Sequence, residues 1–210
     1  IPTFALERTQ ELLSYLHQGI RNGLVPSHIR VFLDSPMAIS ATEIFRRHPE
    51  CYDIGFLKEL EHGDPFGMPG LHFTRETGES MAINAIESGA VILAGSGMCN
   101  GGRVRHHLKH NLWRERSSIV FVGYAAEGTL ARSTIDHREI AVRARIWTIN
   151  GFSAHADQPN LIDWLGSAPR RKVFLVHGEY ERGMTRLQEV LRKRGFNCQL
   201  PGKGEPIKID

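Results

Sequence analysis

The chain has 210 residues, 41% of them hydrophobic and 23% charged, and carries a formal net charge of +3. These values describe an ordinary globular chain with room for one domain or two small ones, and no apolar run approaches the ~20 residues that a membrane span requires. Three widely spaced cysteines fit neither a disulfide framework nor a zinc site built on paired cysteines. We therefore expect a cytoplasmic protein that does not enter membranes.

Hydrophobic spacing in the first part of the chain predicts helices that alternate with buried strands. The predicted elements are a helix over Thr9–Ile20, a strand over Ile29–Leu33, a helix over Met37–Arg47, an irregular stretch over Cys51–Leu71, a helix over Glu79–Glu87 and a strand over Ala90–Ala94. Pro36 is expected near the first position of its helix, as proline often is. Gly, Pro and Asp recur in the irregular stretch, which is typical of loops.

The same alternation continues to the end of the chain. The predicted elements are a helix over Val104–Asn111 within a basic segment 103–116, strands over Ser118–Tyr124 and Ala144–Phe152, a helix over Gln158–Leu165, a strand over Val173–Val176, a helix over Met184–Arg194 and a strand near Cys198. Strands that alternate with helices predict an α/β fold with a parallel sheet.

Two histidines follow predicted strands in the second part of the chain. His155 comes after the run Ala144–Phe152, with Asp157 two residues later, and His177 comes directly after Val173–Val176. Ligands collect at the carboxyl ends of strands in open α/β sheets, and histidine there can hold a metal or carry a proton. The alternatives are a packed strand-end histidine for His177 and a helix cap for His155 and Asp157.

A glycine-rich loop, Gly95–Gly102, connects a predicted strand to a predicted helix. Glycines let a backbone approach a ligand closely, and a helix N-terminus favours anions, so Ser96 and Arg103 are candidate phosphate contacts. Ser35, at the end of an earlier strand, is a similar candidate. Many such loops are only turns, and this one is not a Walker motif because no GKS or GKT follows.

Basic residues concentrate at 103–116, 170–172 and 192–194. Such runs are usually solvated faces, but the first one opens from the glycine-rich loop, where it could hold a nucleic-acid backbone. Glu127–Thr129 is either a tight turn with a helix cap or a second backbone contact. Few aromatic residues accompany the basic segment, so base stacking by that segment is not indicated.

Six motifs in order resemble one known family. They are Ile1–Leu13 (IPTFALERTQELL), Leu33–Ala38 (LDSPMA), Ser96–Arg103 (SGMCNGGR), Val122–Arg132 (VGYAAEGTLAR), Ser153–Asp157 (SAHAD) and Val176–Glu179 (VHGE). They resemble the β-CASP branch of the metallo-β-lactamase superfamily, which contains zinc-dependent nucleic-acid hydrolases such as ribonuclease J and the endonuclease of mRNA 3′-end formation. The closest form is that of the bacterial RNA-specificity metallohydrolases.

This resemblance implies a β-CASP parallel-sheet domain with helices on both faces over residues 1–151. It also implies the C-terminal part of a metallo-β-lactamase αββα domain over residues 152–210. The family's main metal motif, HxHxDH, does not occur in this sequence, so we expect a C-terminal fragment that lacks the N-terminal part of that domain. The stretch Asp136–Val142 is shorter than its family counterpart, which suggests that part of a hairpin is missing.

Residue roles also follow from the resemblance. His177 matches a metal ligand of the family, and His155 matches a catalytic proton carrier. Asp157 is primarily an N-cap and secondarily a partner for His155. The implied contacts to RNA phosphates are Arg8, Ser35, Ser96, Arg103, Arg105, Glu127 and Thr129. Leu6 and Glu7 precede Arg8 here, whereas many members have glycine before that arginine.

Two functions from different classes follow. The first is a zinc-dependent hydrolase of RNA phosphodiesters with two zinc ions. This chain supplies the RNA-binding part and the C-terminal catalytic motifs of that enzyme, and we expect the isolated chain to be inactive. The second is a non-catalytic nucleic-acid-binding module. The expected partners are single-stranded RNA and the missing N-terminal part of the metallo-β-lactamase domain. The sequence leaves open whether the chain forms a homodimer.

Overall fold

The computed structural model describes residues 1–138, 140–152, 155–166 and 172–207. The chain divides into two compact units, residues 1–153 and 154–210. The first unit contains five strands and six α-helices among the described residues, and the second contains two strands and two α-helices. The assignment of residues 1–151 and 152–210 to two particular domains stays a prediction.

The first unit contains a three-stranded parallel sheet. Its strands are β1 (Arg30–Leu33), β2 (Leu71–Phe73) and β3 (Ala90–Leu93), in the order β2-β1-β3. In β1, Val31 and Leu33 are fully buried and Phe32 is nearly so, because this central strand is paired on both edges. A second sheet of the unit pairs β4 (Ser118–Phe121) with β5 (Arg145–Thr148), again in parallel.

Helices connect these strands, as parallel pairing requires. They are α1 (Arg8–Arg21), α2 (Pro36–Arg47), α3 (Ile54–Leu60), α4 (Thr77–Ile83), α5 (Val104–Asn111) and α6 (Leu130–Ile135). The predicted α/β class and the parallel pairing are therefore confirmed. Pro36 occupies the first turn of α2 as predicted, and α5 begins and ends at the predicted residues.

Two hydrophobic clusters hold the first unit together. One joins α1, α2 and the first sheet through Leu13, Val31, Leu33 and Ile39, and the other joins α5, α6 and the second sheet. The chain start runs along β3, where Thr3 N–H donates to the Ala94 carbonyl at 3.0 Å. β3 and β4, which belong to different sheets, both line a groove of about 850 Å³.

The second unit is a small α/β layer. Its strands β6 (Lys172–Phe174) and β7 (Asn197–Gln199) are parallel, and its helices are α7 (Gln158–Leu165) and α8 (Thr185–Lys193), the latter preceded by a π-helical turn at Tyr180–Met184. The buried core of this unit consists of Ile162, Val173, Leu191, Phe196 and Cys198. Arg170, Arg171 and Glu139, which fall in two of the predicted segments, lie outside the described residues.

Two predictions about elements were wrong. The stretch 51–71, expected to be irregular, contains α3 and leads into β2. The strand before His155 ends at Thr148 rather than continuing to Phe152, so His155 does not directly follow a strand.

None of the helices among the described residues is long and apolar enough to cross a membrane. Cys51 is exposed, Cys99 and Cys198 are buried, and all three are free thiols.

Candidate nucleic-acid interface

A fully buried carboxylate, Asp34, lies at the carboxyl end of β1 and joins four side chains from other elements. Its Oδ1 accepts hydrogen bonds from Thr74 Oγ1 at 2.6 Å and from a terminal nitrogen of Arg103 at 2.8 Å. Its Oδ2 accepts from Ser80 Oγ and lies next to His107 Nε2, each at 2.6 Å. One side chain thus connects β1 with the end of β2, with α4, with the glycine-rich loop and with α5.

The charge of Asp34 is maintained by its partners. Burial alone would raise the pKa of this carboxyl, because it removes the charged form from water. The hydrogen bonds from His107, Ser80, Thr74 and Arg103 outweigh burial and hold the pKa well below its usual range. Asp34 is therefore an anion at neutral pH, and the Arg103 guanidinium balances its charge.

Arg103 is engaged by three acceptors of its own chain. Besides Asp34, its terminal nitrogens donate to the backbone carbonyls of Thr74 at 2.9 Å and Arg75 at 2.6 Å. These bonds fix the guanidinium at the carboxyl ends of β1 and β2, where its side chain is 20% exposed. The predicted phosphate contact of Arg103 stays a prediction, and the structure adds a role in joining the loops at this edge.

His107 presents one ring nitrogen to Asp34 and the other to the interior. Because Nε2 lies 2.6 Å from a carboxylate, it carries a proton. Nδ1 is buried and has no hydrogen-bond partner within the described part of the chain. His107 also lines the groove between β3 and β4.

The glycine-rich loop folds back on itself after β3. Ser96 N–H donates to the Gly101 carbonyl at 3.2 Å, and Ser96 Oγ donates to the same carbonyl at 3.2 Å. Gly102 has a φ of +77°, and a Cβ there would lie 2.3 Å from the Gly95 carbonyl oxygen, so only glycine fits. Burial raises the pKa of the Cys99 thiol to about 12, so this cysteine is a packed neutral group.

The remaining predicted contacts surround this loop. Arg105 is exposed and donates to the Asn100 carbonyl at 3.4 Å. Leu130 N–H donates to Asn100 Oδ1 at 2.9 Å, which joins the loop to the segment that carries Glu127 and Thr129. A Cβ at Gly95 would lie 3.7 Å from Ser35 Oγ, so Ser35 is close as well. The structure therefore brings most of the predicted phosphate contacts to one edge of the unit.

Several of these residues also cap helices. Ser35 Oγ accepts from Ala38 N–H at 3.3 Å at the start of α2. Thr129 Oγ1 accepts from Arg132 N–H at 3.3 Å and donates to the Ala126 carbonyl at 2.6 Å, so the alternative of a turn with a helix cap describes its geometry. Glu127 is exposed.

Arg8 lies at the start of α1 and is half-buried. It pairs with Glu11, and its guanidinium carbon lies 5.2 Å from the centre of the Phe152 ring. The residue before it, Glu7, has a φ of +62°, a conformation that favours glycine. The departure from the family's glycine, noted from the sequence, thus falls on a position where glycine would be less strained.

In the second unit, His155, Asp157 and His177 are all exposed. Asp157 Oδ1 accepts from Asn160 N–H at 2.9 Å and caps α7, which confirms its interpretation as an N-cap. His177 has a φ of +62° and stands beside an open groove of about 620 Å³ that Trp164, Val176 and Met184 also line. A Cβ at Gly178 would lie 2.8 Å from Met184 Cγ, so a larger residue after this histidine would require the Met184 side chain to move.

A zinc ion needs three or four protein ligands. Among residues 1–138, 140–152, 155–166 and 172–207, no three His, Cys, Asp or Glu side chains lie together so as to hold a metal ion. The exposed imidazole of His177 fits a single ligand, and the described residues do not form a complete set.

Sequence reasoning missed the partners of Asp34. One signal was available for His107, which lies four residues after Arg103 and therefore on the same side of α5. Thr74 and Ser80 gave no signal. Thr74 follows β2, which the sequence did not predict, and Ser80 lies in the predicted helix Glu79–Glu87 without any feature that pointed to Asp34.

Comparison with known proteins agrees with the motifs. Residues 9–133 match the Beta-Casp domain, and residues 139–201 match the Zn-dependent metallo-hydrolase RNA specificity domain. Among similar curated proteins, ribonuclease TTHA0252 of Thermus thermophilus is 39% identical over all of this chain and 49% of its own length.

Two further relatives carry the name transcription termination factor FttA. The protein of Methanocaldococcus jannaschii is 34% identical and that of Pyrococcus abyssi 30%, each over all of this chain and 35% and 34% of its own length. The chain thus spans about half of the first relative and about a third of the other two. Since the Beta-Casp match alone covers more than half of the chain, the chain belongs to the Beta-Casp family of RNA-related metallohydrolases.

Proposed function

We propose that this chain is the RNA-holding part of a zinc-dependent hydrolase of RNA phosphodiesters, and that it also carries two of that enzyme's catalytic histidines. The observation that carries the proposal is the convergence of Ser35, Ser96, Arg103 and Arg105 around the loop after β3, in a chain of the Beta-Casp family. The names of the relatives, a ribonuclease and a transcription termination factor, support a role in RNA processing.

RNA phosphates would contact this edge through hydroxyls, backbone N–H groups and guanidinium groups. Arg105 is the exposed cation of the loop, while Arg103 and Arg8 are already paired with carboxylates and offer less unneutralised charge. Glu127 repels phosphate, so its contact with RNA would be with a ribose hydroxyl. Single strands fit this edge best, because its donors lie on short loops rather than on one long helix.

The two histidines of the second unit would act differently. His155 would protonate the leaving oxygen, because histidine is the side chain that most often transfers protons in general acid–base catalysis. His177 would contribute one zinc ligand, and the other ligands would come from outside the described residues. Zinc, when bound, would polarise the phosphate and activate a water.

The test compares the 210-residue chain with a longer protein that carries it. We expect the chain to bind single-stranded RNA without cleaving it, and the longer protein to cleave RNA only with zinc. Metal-dependent cleavage by the purified chain would show that its own residues complete the site. Absence of zinc-dependent cleavage in the longer protein would favour the second function, a nucleic-acid-binding module without catalysis, which the lack of a metal-holding group among the described residues also favours.

A further inference from the structure

The ring of Phe4 is exposed at the edge where the predicted phosphate contacts meet. Its relative exposure is 49%, although the neighbouring residues Thr3 and Thr9 are buried. The backbone around it is fixed, because Thr9 Oγ1 donates to the Phe4 carbonyl at 2.5 Å and Thr3 N–H donates to the Ala94 carbonyl. Phe4 is therefore a half-exposed aromatic ring on a rigid backbone.

The other half of the ring rests on the glycine-rich loop. A Cβ at Gly97 would lie 2.7 Å from Phe4 Cε2, 2.9 Å from Cδ2 and 3.1 Å from Cζ, so any larger residue there would force the Phe4 ring to move. Gly97 does not have a positive φ, so its backbone does not require glycine. The close approach of the Phe4 ring is what requires it.

The same loop carries both kinds of group that a nucleotide needs. Ser96 is adjacent to Gly97, and Arg105 is bonded to the Asn100 carbonyl three residues further on. An unpaired nucleobase has a flat π-face that stacks on aromatic rings, while its phosphate takes hydroxyl and guanidinium donors. An exposed ring beside such donors has the groups that one nucleotide needs, a face for its base and donors for its phosphate.

We propose that Phe4, supported by Gly97, is a stacking platform for one unpaired nucleobase of bound RNA, an inference that rests on the proposed RNA-binding function. Stacking on the ring gives affinity with little base selectivity, because every base has a π-face. Arg105 and Ser96 hold the adjoining phosphate.

The experiment measures the affinity of the 210-residue chain for an adenosine octamer and for the same octamer with abasic residues. We expect Phe4→Leu to weaken binding of the adenosine octamer about 5- to 100-fold, as loss of one base–aromatic stack does. Phe4→Tyr should retain binding. The abasic octamer should bind wild type and Phe4→Leu equally. Trp113→Leu, which changes a comparably exposed aromatic residue beyond the other end of α5, is the matched control and should change neither affinity.

A second pair of variants tests the support of the ring. Gly97→Ala should displace Phe4 and weaken binding of the adenosine octamer, whereas Gly101→Ala, in the same loop with open space around it, should not. Equal affinities of wild type, Phe4→Leu and Gly97→Ala for the adenosine octamer would reject the platform and leave RNA binding intact. An equal loss with the abasic octamer would also reject it, since Phe4 would then act on the backbone. Failure of the wild-type chain to bind any octamer would reject RNA binding and the platform together.

Discussion

Asp34→Asn keeps the shape of a fully buried side chain but removes the charge that Arg103 and His107 face. Breaking one partner of a buried charged network costs about 3–5 kcal/mol, because the remaining charge stays buried without compensation. We expect the free energy of unfolding in urea to fall by about that amount. The control is Glu43→Gln, which breaks an exposed pair with Arg75 at 2.7 Å and should cost less than about 1 kcal/mol.

The pH dependence of stability should report the same carboxylate. Since its folded pKa lies below its unfolded value of about 3.9, Asp34 stabilises the fold above that pH, and its contribution is lost as the pH falls further. The difference in unfolding free energy between wild type and Asp34→Asn should therefore be large at pH 7 and shrink below about pH 4. A difference that stays constant down to pH 2.5 would contradict this assignment of the charge.

Glu7 tests backbone strain at a single residue. It is the central residue of a turn closed by Arg8 N–H and the Leu6 carbonyl at 2.8 Å, with φ +62° and ψ −66°. This γ-turn with positive φ is strained for any residue with a Cβ. We expect Glu7→Gly to raise the free energy of unfolding by about 1 kcal/mol. Glu7→Ala keeps the Cβ and should give no gain, so an equal gain in both variants would assign the effect to charge.

Local chemistry at the residue scale was predictable from sequence. Pro36 and Asp157 each indicated the start of a helix, and both helices begin there, with Ser35 as the N-cap before Pro36. The network around Asp34 was not predictable, because its partners lie 40 to 73 positions away along the chain. Sequence spacing carries no information on contacts that depend on how strands are ordered in a sheet.

At the scale of elements, α5 combines a buried face with a basic one. Val104, His107 and Leu108 are buried, while Arg105 and Lys109 are exposed. Each phosphate neutralised by such a cation releases counterions, so RNA affinity should fall steeply with salt. We expect Arg105→Ala to reduce the slope of log affinity against log salt by about 1, measured by titration at several salt concentrations.

The control for this change is Lys58→Ala, an exposed cation on α3, which should leave the slope unchanged. A slope that is the same for Arg105→Ala and wild type would mean that the basic face of α5 is only solvated. Arg103 is unsuitable for this test, because its removal would also strip Asp34 of its partner.

The sequence did not predict α3, and the composition and length of this helix explain why. Gly55 lowers its helix propensity, and the seven-residue helix is too short to show a clear periodicity. It forms because Asp53 Oδ1 accepts from Phe56 N–H at 2.8 Å and because Phe56 packs against Tyr52 and Phe66 with ring centroids 4.9 and 5.5 Å apart. Tertiary packing, rather than local propensity, selects this helix.

At the scale of the whole molecule, the order of the motifs along the sequence identified the family. The described residues, however, contain no group of three or more potential ligands that could hold a metal ion. Residues on the loops after β1 and β3 converge because parallel strands place their carboxyl ends along one edge. In the second unit, His155 and His177 belong to no group of three or more His, Cys, Asp or Glu side chains among the described residues that could hold a metal ion. The chain-level prediction is therefore binding, and the prediction about chemistry belongs to the longer protein.

In the longer protein, His155→Ala and His177→Ala should fail differently. Loss of a proton carrier should slow single-turnover RNA cleavage by roughly 10²- to 10⁴-fold while zinc content stays near that of wild type. Loss of a ligand should lower zinc content together with the rate. Zinc stoichiometry is measured beside the cleavage rate for each variant, with His17→Ala, a change on α1, as the control that should alter neither. If His155→Ala loses zinc while His177→Ala retains it, the two roles are reversed, because His155 then holds the metal and His177 carries the proton.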